Sequence, residues 1–133
     1  MPSVVDASAV VELLLRTPAG EAALGAIGNE PVFAPELLDA EVLSALAGLE
    51  RGGKISADRA DRAIEQLVGA PIDRVPHLGL VSAAWKRRAS LSTYDGLYVA
   101  LAARLDCPLV TADARLGRSG DIGVTITLVP TAG

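Results

Sequence analysis

Four acids are placed where a carboxylate is hard to explain singly: Asp6, Glu41, Asp95 and Asp113. Each lies on or beside an apolar run, and none is read as paired with a basic neighbour. Each also has an ordinary role open to it. Asp6 follows the apolar Val4-Val5 and can cap the helix that starts there. Asp95 stands third after Ser92, as in a capping box, and its charge suits the first turn of a helix. Glu41 borders an apolar stripe, with Leu37, Leu38, Ser44 and Ala45 at i±3 and i±4, and can snorkel out to solvent. Asp113 stands just past the β-prone Leu109-Val110-Thr111.

Together they are harder to dismiss. Two carboxylates about 4 Å apart repel by roughly 4 kcal/mol at an effective dielectric of 20. Several such pairs would consume much of a domain's stability of about 5–15 kcal/mol. A fold tolerates convergent acids when a divalent cation lies between them or when some are protonated. All-oxygen donors favour Mg²⁺ or Mn²⁺ over zinc. A carboxylate-held ion with open positions suits phosphoryl transfer: it polarises a phosphate and lowers the pKa of a bound water.

Other chemistries lack their residues. His77 is the only histidine and Cys107 the only cysteine. On that count a Cys/His zinc site, a Ser-His-Asp triad and a Cys-His pair are not expected, and an internal disulfide cannot form. An aspartyl-phosphate phosphatase needs Asp-x-Asp, but Ser8 stands two residues after Asp6. A receiver domain wants a late lysine, and none follows Lys86.

Positioning the acids is the work of alternating strands and helices. Strands are predicted near 3–6, 32–34, 72–75, 109–111 and 124–128, and helices over 7–15, 17–27, 35–51, 56–69 and 76–90, with a last one from Asp95 at its front to about 105. Residues 114–121 read as a Gly-rich loop with Arg115 and Arg118. The pattern predicts an α/β fold: a central parallel sheet of about five strands with helices on both faces, as one domain over residues 1–133. In such sheets ligands bind at the carboxyl ends of strands, at a topological switch point. Asp6 and Asp113 both follow strands. A helix antiparallel to the strand it feeds would bring Asp95 to the same edge.

The 133 residues carry a net charge of −4, unevenly spread. Residues 1–66 hold 11 acids and 5 Lys/Arg, and residues 67–133 hold 5 acids and 7 Lys/Arg. Lys86-Arg87-Arg88 is the one basic run and reads as a solvated helix end. Aromatics are scarce (Phe33, Trp85, Tyr94, Tyr98), so a sheet with aromatic platforms for RNA bases is not expected. No apolar stretch is long enough to span a membrane. Asp6 and Glu12 interrupt the first apolar run, so no secretory leader is expected, and a cytoplasmic, reducing setting is.

The four motifs carry a family resemblance. Val4-Val5-Asp6-Ala7-Ser8-Ala9, Leu38-Asp39-Ala40-Glu41-Val42, Tyr94-Asp95-Gly96-Leu97-Tyr98-Val99-Ala100-Leu101-Ala102 and Leu109-Val110-Thr111-Ala112-Asp113-Ala114-Arg115-Leu116 occur in this order. The chain resembles PIN-domain ribonucleases, and more narrowly the VapC-type toxins of type II toxin–antitoxin pairs, over essentially its whole length. The resemblance implies a PIN-like three-layer α/β/α fold and Mg²⁺- or Mn²⁺-dependent hydrolysis of RNA phosphodiesters. It makes Asp6 and Asp95 the metal ligands, with Glu41 and Asp113 completing the catalytic acids. It puts Ser8 and Thr111 behind those ligands. It also implies a homodimer and a VapB-like antitoxin covering the groove. Arg115 and Arg118 are the candidate RNA contacts, because an acidic chain must supply local cations to hold a phosphate backbone. Asp121 is a late further acid with no role assigned. The competing reading is a non-catalytic interaction module on the same fold, its acids serving only as helix caps.

Overall fold

Strand β1 (Ser3–Val5) is buried along its whole length and occupies the middle of the sheet. The computed structural model describes residues 1–120 and 122–131. β1 pairs on one side with β2 (Val32–Pro35), which pairs with β3 (Ile72–Val75). On its other side it pairs with β4 (Leu109–Thr111), which pairs with β5 (Ile126–Leu128). Every pairing is parallel, and the order is β3-β2-β1-β4-β5. The chain builds outward from β1 on one side, then returns and builds outward on the other. The switch point therefore falls between β1 and β4.

The helices form where capping side chains permit. Asp6 caps α1 (Ala7–Leu15), and Arg16 closes it in the left-handed region at φ 55°. Thr17 caps α2 (Pro18–Ile27), whose first residue is the proline that a helix start accommodates. Then come α3 (Leu37–Arg51) and α4 (Ala57–Gly69), the latter capped by Ser56. A 3₁₀ turn (His77–Leu80) leads into the short α5 (Val81–Lys86). Ser92 caps α6 (Thr93–Leu105), in which every residue from Gly96 to Ala102 is buried. Finally α7 (Ala114–Gly117) is a single turn capped by Asp113.

These elements make three layers. α1 packs against α2, α3 and α4 on one side of the sheet, while α6 lies across β1, β2 and β4 with α5 outside it. The core between them is aliphatic, with Val4, Val5, Val10, Leu38, Leu46, Val99, Leu101, Leu109 and Val110 sealed from solvent. Tyr98 is the largest side chain among the fully buried ones.

Four sequence expectations need correction. Pro35 does not open a helix: it ends β2, in register with Val75, and α3 starts at Leu37. The expected 76–90 helix is broken, because Gly79 weakens it and the amides of Arg87 and Arg88 turn back to the carbonyls of Ala84 and Trp85. The loop after Asp113 contains α7, and β5 begins at Ile126 rather than near residue 124. Asp39 pairs with Arg74 at 3.1 Å, and Glu36 accepts from the His77 amide at 3.3 Å. Arg74 also donates to the carbonyls of Leu67, Ala70 and Ile72, tying the end of α4 to β3. Asp121 lies outside the described residues.

Candidate active site

Asp6 is 5% exposed, an unusual depth for a carboxylate. The fold satisfies it from three directions. The Ser8 hydroxyl donates to Oδ1 at 2.7 Å, and the Ala9 amide donates to the same oxygen at 3.1 Å. The Thr111 hydroxyl, one strand over, makes a short bond to Oδ2. Ser8 and Thr111 are themselves oriented: Ser8 Oγ accepts from the Ala112 amide at 2.9 Å, and Thr111 Oγ1 accepts from the Asp113 amide at 3.0 Å. Each hydroxyl has a single proton. With both protons directed at Asp6, the 3.1 Å approach of Ser8 Oγ to Thr111 Oγ1 is close packing rather than a third bond. Asp6 is thus both a helix cap and the centre of a rigid polar cradle at the switch point.

Burial holds the Asp6 carboxyl above its ordinary pKa, against the lowering effect of Thr111, Ser8 and the Ala9 amide, and the charge of Asp95 pushes the same way as burial. Glu41, on α3, is also held high, first by burial and then by Asp95, with the Tyr98 hydrogen bond opposing. Tyr98 donates to Glu41 Oε1 at 2.7 Å. Its own phenol is pushed strongly upward by burial, by that bond, and by the charges of Glu41, Asp6 and Asp95. Asp6, Glu41 and Asp95 therefore share one electrostatic neighbourhood around the Tyr98 hydroxyl. Asp95 sits half-buried in the first turn of α6, and Ser92 caps its amide at 3.1 Å.

Asp113 behaves differently. Its Oδ2 accepts from Arg115 Nη2 at 2.7 Å, and its Oδ1 accepts from the Arg115 amide at 2.9 Å. The Arg115 contact holds this carboxyl below the ordinary range. Asp113 thus has the basic neighbour that sequence reading did not credit to it. Arg115 also feels the charge of Asp95, though less than that of Asp113. Arg118 is exposed at the end of α7, and among the described residues its side chain is paired with no acid. Earlier in the chain, the Arg88 guanidinium lies 4.3 Å over the Trp85 ring, and Arg87 donates to the Ala83 carbonyl, as suits a solvated helix end.

The donor set fits a hard divalent cation. All donors are oxygens, the charge of Asp95 reaches both Asp6 and Glu41, and the strongest restraint falls on the most buried of the three. As the side chains stand, no three His, Cys, Asp or Glu among the described residues meet in one coordination shell. The two observations agree if waters fill the remaining positions. Mg²⁺ is ordinarily held by one or two carboxylates and keeps several waters. Tyr98 is the site residue that sequence reading passed over. Its signal was present: a phenol at i+3 from Asp95, in an otherwise aliphatic run, needs a polar partner once buried.

An apolar groove of about 1030 Å³, lined by residues such as Leu13, Leu24, Ile27 and Ile72, contains none of these acids. No helix among the described residues is long and apolar enough to cross a membrane.

Comparison with known proteins agrees with this geometry. A family model described as "PIN domain" matches residues 3–121. The VapC ribonuclease Mb0985 of Mycobacterium bovis is 41% identical over 127 residues, covering 96% of this chain and 98% of that protein. Ribonuclease VapC3 of Mycobacterium tuberculosis is 42% identical over 117 residues, covering 87% and 85%. Among solved structures, VapBC2 from Rickettsia felis, bound to a DNA fragment from its promoter, superposes with a TM-score of 0.67 at 11% identity. That match covers 96% of this chain and 98% of the other.

Proposed function

Since the chain belongs to the PIN-domain family, among its VapC-type members, we propose that it is a Mg²⁺- or Mn²⁺-dependent endoribonuclease, the toxin of a toxin–antitoxin pair. The observation that carries the metal-dependent chemistry is the shared neighbourhood of Asp6, Glu41 and Asp95 at the sheet's switch point. Acids arranged only as helix caps would have no reason to converge.

Asp6 and Asp95 are the ligands. A divalent cation held by them would supply positive charge beside a phosphate oxygen and would lower the pKa of a nearby water. Asp6, restrained by three donors, keeps its orientation when substrate arrives. Glu41 has one oxygen on Tyr98, leaving the other to accept a hydrogen bond from the attacking water and orient it. Arg115 lies beside the acids and gives the phosphate a charge-assisted donor. Asp113 acts by aiming Arg115, from whose side chain it accepts.

The remaining assignments belong to the same reading. The substrate is RNA, held weakly and in a salt-sensitive way by the cations of the second half. The protein works in the cytoplasm as a homodimer, and a VapB-like antitoxin blocks the groove with a basic side chain opposite the acids. Support for that partner comes from the fold shared with a VapBC assembly. The test is cleavage of RNA by the pure protein with Mg²⁺, comparing wild type with Asp6→Asn and Asp95→Asn. Cleavage lost in both variants and in EDTA supports the reading; undiminished cleavage in both overturns the catalytic assignment. Co-expression of the antitoxin relieves the growth arrest caused by the chain alone.

A further inference from the structure

We propose that Tyr98 is a positioning residue of this site: its hydroxyl, donated to Glu41, holds that carboxylate facing Asp6 and Asp95 in the orientation that receives the divalent cation and its waters. The inference rests on the metal reading above and adds a residue that acts through Glu41 without touching ion or substrate.

The argument starts from what else could hold Glu41. It is half-buried on α3, and its neighbours along the helix, Leu37, Leu38, Ser44 and Ala45, offer no cation. A glutamate side chain has three torsions, and left alone it samples several rotamers. Tyr98 is the opposite case. It is 1% exposed, is packed within the run Gly96–Ala102 on α6, and has one hydroxyl proton to give. That proton goes to Glu41 Oε1 at 2.7 Å, across 57 positions of sequence. The rigid partner therefore sets the orientation of the flexible one.

Tyr98 also follows Asp95 by one helical turn, so both project from the same region of α6. A single helix thereby presents one acid directly and fixes a second from α3 through the phenol. This links the spacing of Asp95 and Glu41 to the packing of α6 rather than to the side-chain freedom of α3. A phenylalanine would fill the same volume in an aliphatic core without leaving a hydroxyl to satisfy, so the core alone does not call for the oxygen. A purely structural tyrosine, satisfied by whichever acceptor lies nearest, would affect stability and leave ion uptake unchanged.

The test is direct Mn²⁺ binding to the intact protein, by calorimetry or by paramagnetic resonance of the free ion. Wild type is compared with Tyr98→Phe, Glu41→Gln and the double variant. Loss of an outer hydrogen-bond partner commonly lowers metal affinity by about 10–100-fold, and the lower end of that range is expected for Tyr98→Phe. The double variant is expected to bind no more weakly than Glu41→Gln alone, because the hydroxyl acts only through that carboxylate. Equal Mn²⁺ affinity in wild type and Tyr98→Phe overturns the proposal, and so does a Tyr98→Phe loss that adds in full to that of Glu41→Gln. If Tyr98→Phe fails to fold, Tyr98→Met, which also lacks the hydroxyl and leaves Glu41 intact, takes its place; a comparable loss supports the proposal and wild-type affinity overturns it. A wild type that takes up no Mn²⁺ overturns the metal reading and this inference with it, whereas uptake unaffected by Tyr98→Phe overturns this inference alone.

Discussion

Thr111, the last residue of β4, donates its hydroxyl proton to Oδ2 of Asp6, the first residue past β1. The two are 105 positions apart in sequence and meet because β1 and β4 are neighbours at the switch point. Both are buried, so the bond is shielded from water. It joins the strand pairing of the sheet to the ligand geometry of the site.

Thr111→Val tests that bond. It removes a donor from Asp6 and the acceptor of the Asp113 amide at constant shape. A buried polar group left unsatisfied costs about 1–3 kcal/mol. Chemical denaturation is expected to show a loss in that range, with weaker Mn²⁺ uptake, and Thr111→Ser is expected to restore part of both. Unchanged stability and ion affinity would show that Asp6 does not depend on this hydroxyl.

The acids set a pH dependence whose sign follows from the direction of each shift. Asp6 and Glu41 have folded pKa values above their ordinary ones. In the window between the unfolded and folded values the native state holds protons that the unfolded chain has released. Their contribution is therefore favourable below the unfolded value and is lost as pH rises through the folded value. Asp113, shifted down, does the opposite: its contribution is present above its unfolded value and is lost as pH falls through the folded one. That second effect is small, because Arg115 is largely exposed. The metal-free protein is expected to gain stability on mild acidification, and Mg²⁺ to raise the melting temperature at neutral pH but not near pH 4. Melting curves in EDTA and in Mg²⁺ across that range check it. A Mg²⁺ effect that persists at low pH would exclude these carboxylates as its source.

Arg115→Ala separates phosphate contact from ion binding. RNA affinity measured in EDTA is expected to fall, and the slope of log affinity against log salt to shrink by about 0.7, the value for one phosphate contact on a single strand. Mn²⁺ affinity is expected to hold or rise, because Asp113 loses the guanidinium that occupies it. Binding that ignores both salt and Arg115 would remove this residue from the RNA path.

Gly20 lets α2 approach the backbone of α1 closely. A Cβ built there would stand 2.2 Å from the Glu12 carbonyl oxygen and 2.6 Å from its carbon, both main-chain atoms that cannot rotate away. Gly20→Ala is expected to destabilise the fold by about 1–3 kcal/mol or more. Urea denaturation checks it; a stability within a few tenths of wild type would mean that the two helices separate easily.

Local chemistry was enough to read much of this protein from sequence. Apolar runs bounded by glycine and proline marked the five strands to within a few residues, and Asp6 and the Ser92-x-x-Asp95 box marked where α1 and α6 begin. These signals act over a few residues, so they survive without the rest of the chain. The same locality explains the errors. Pro35 suits a helix start as well as a strand end, and only pairing with Val75 decides between them. The order of the strands, the convergence of Asp6, Glu41 and Asp95, the turning of Asp113 toward Arg115, and the hold of Tyr98 on Glu41 all required the tertiary structure. Each depends on which distant surfaces share a layer. Periodicity can say that a side chain is buried, but only packing determines what it is buried against.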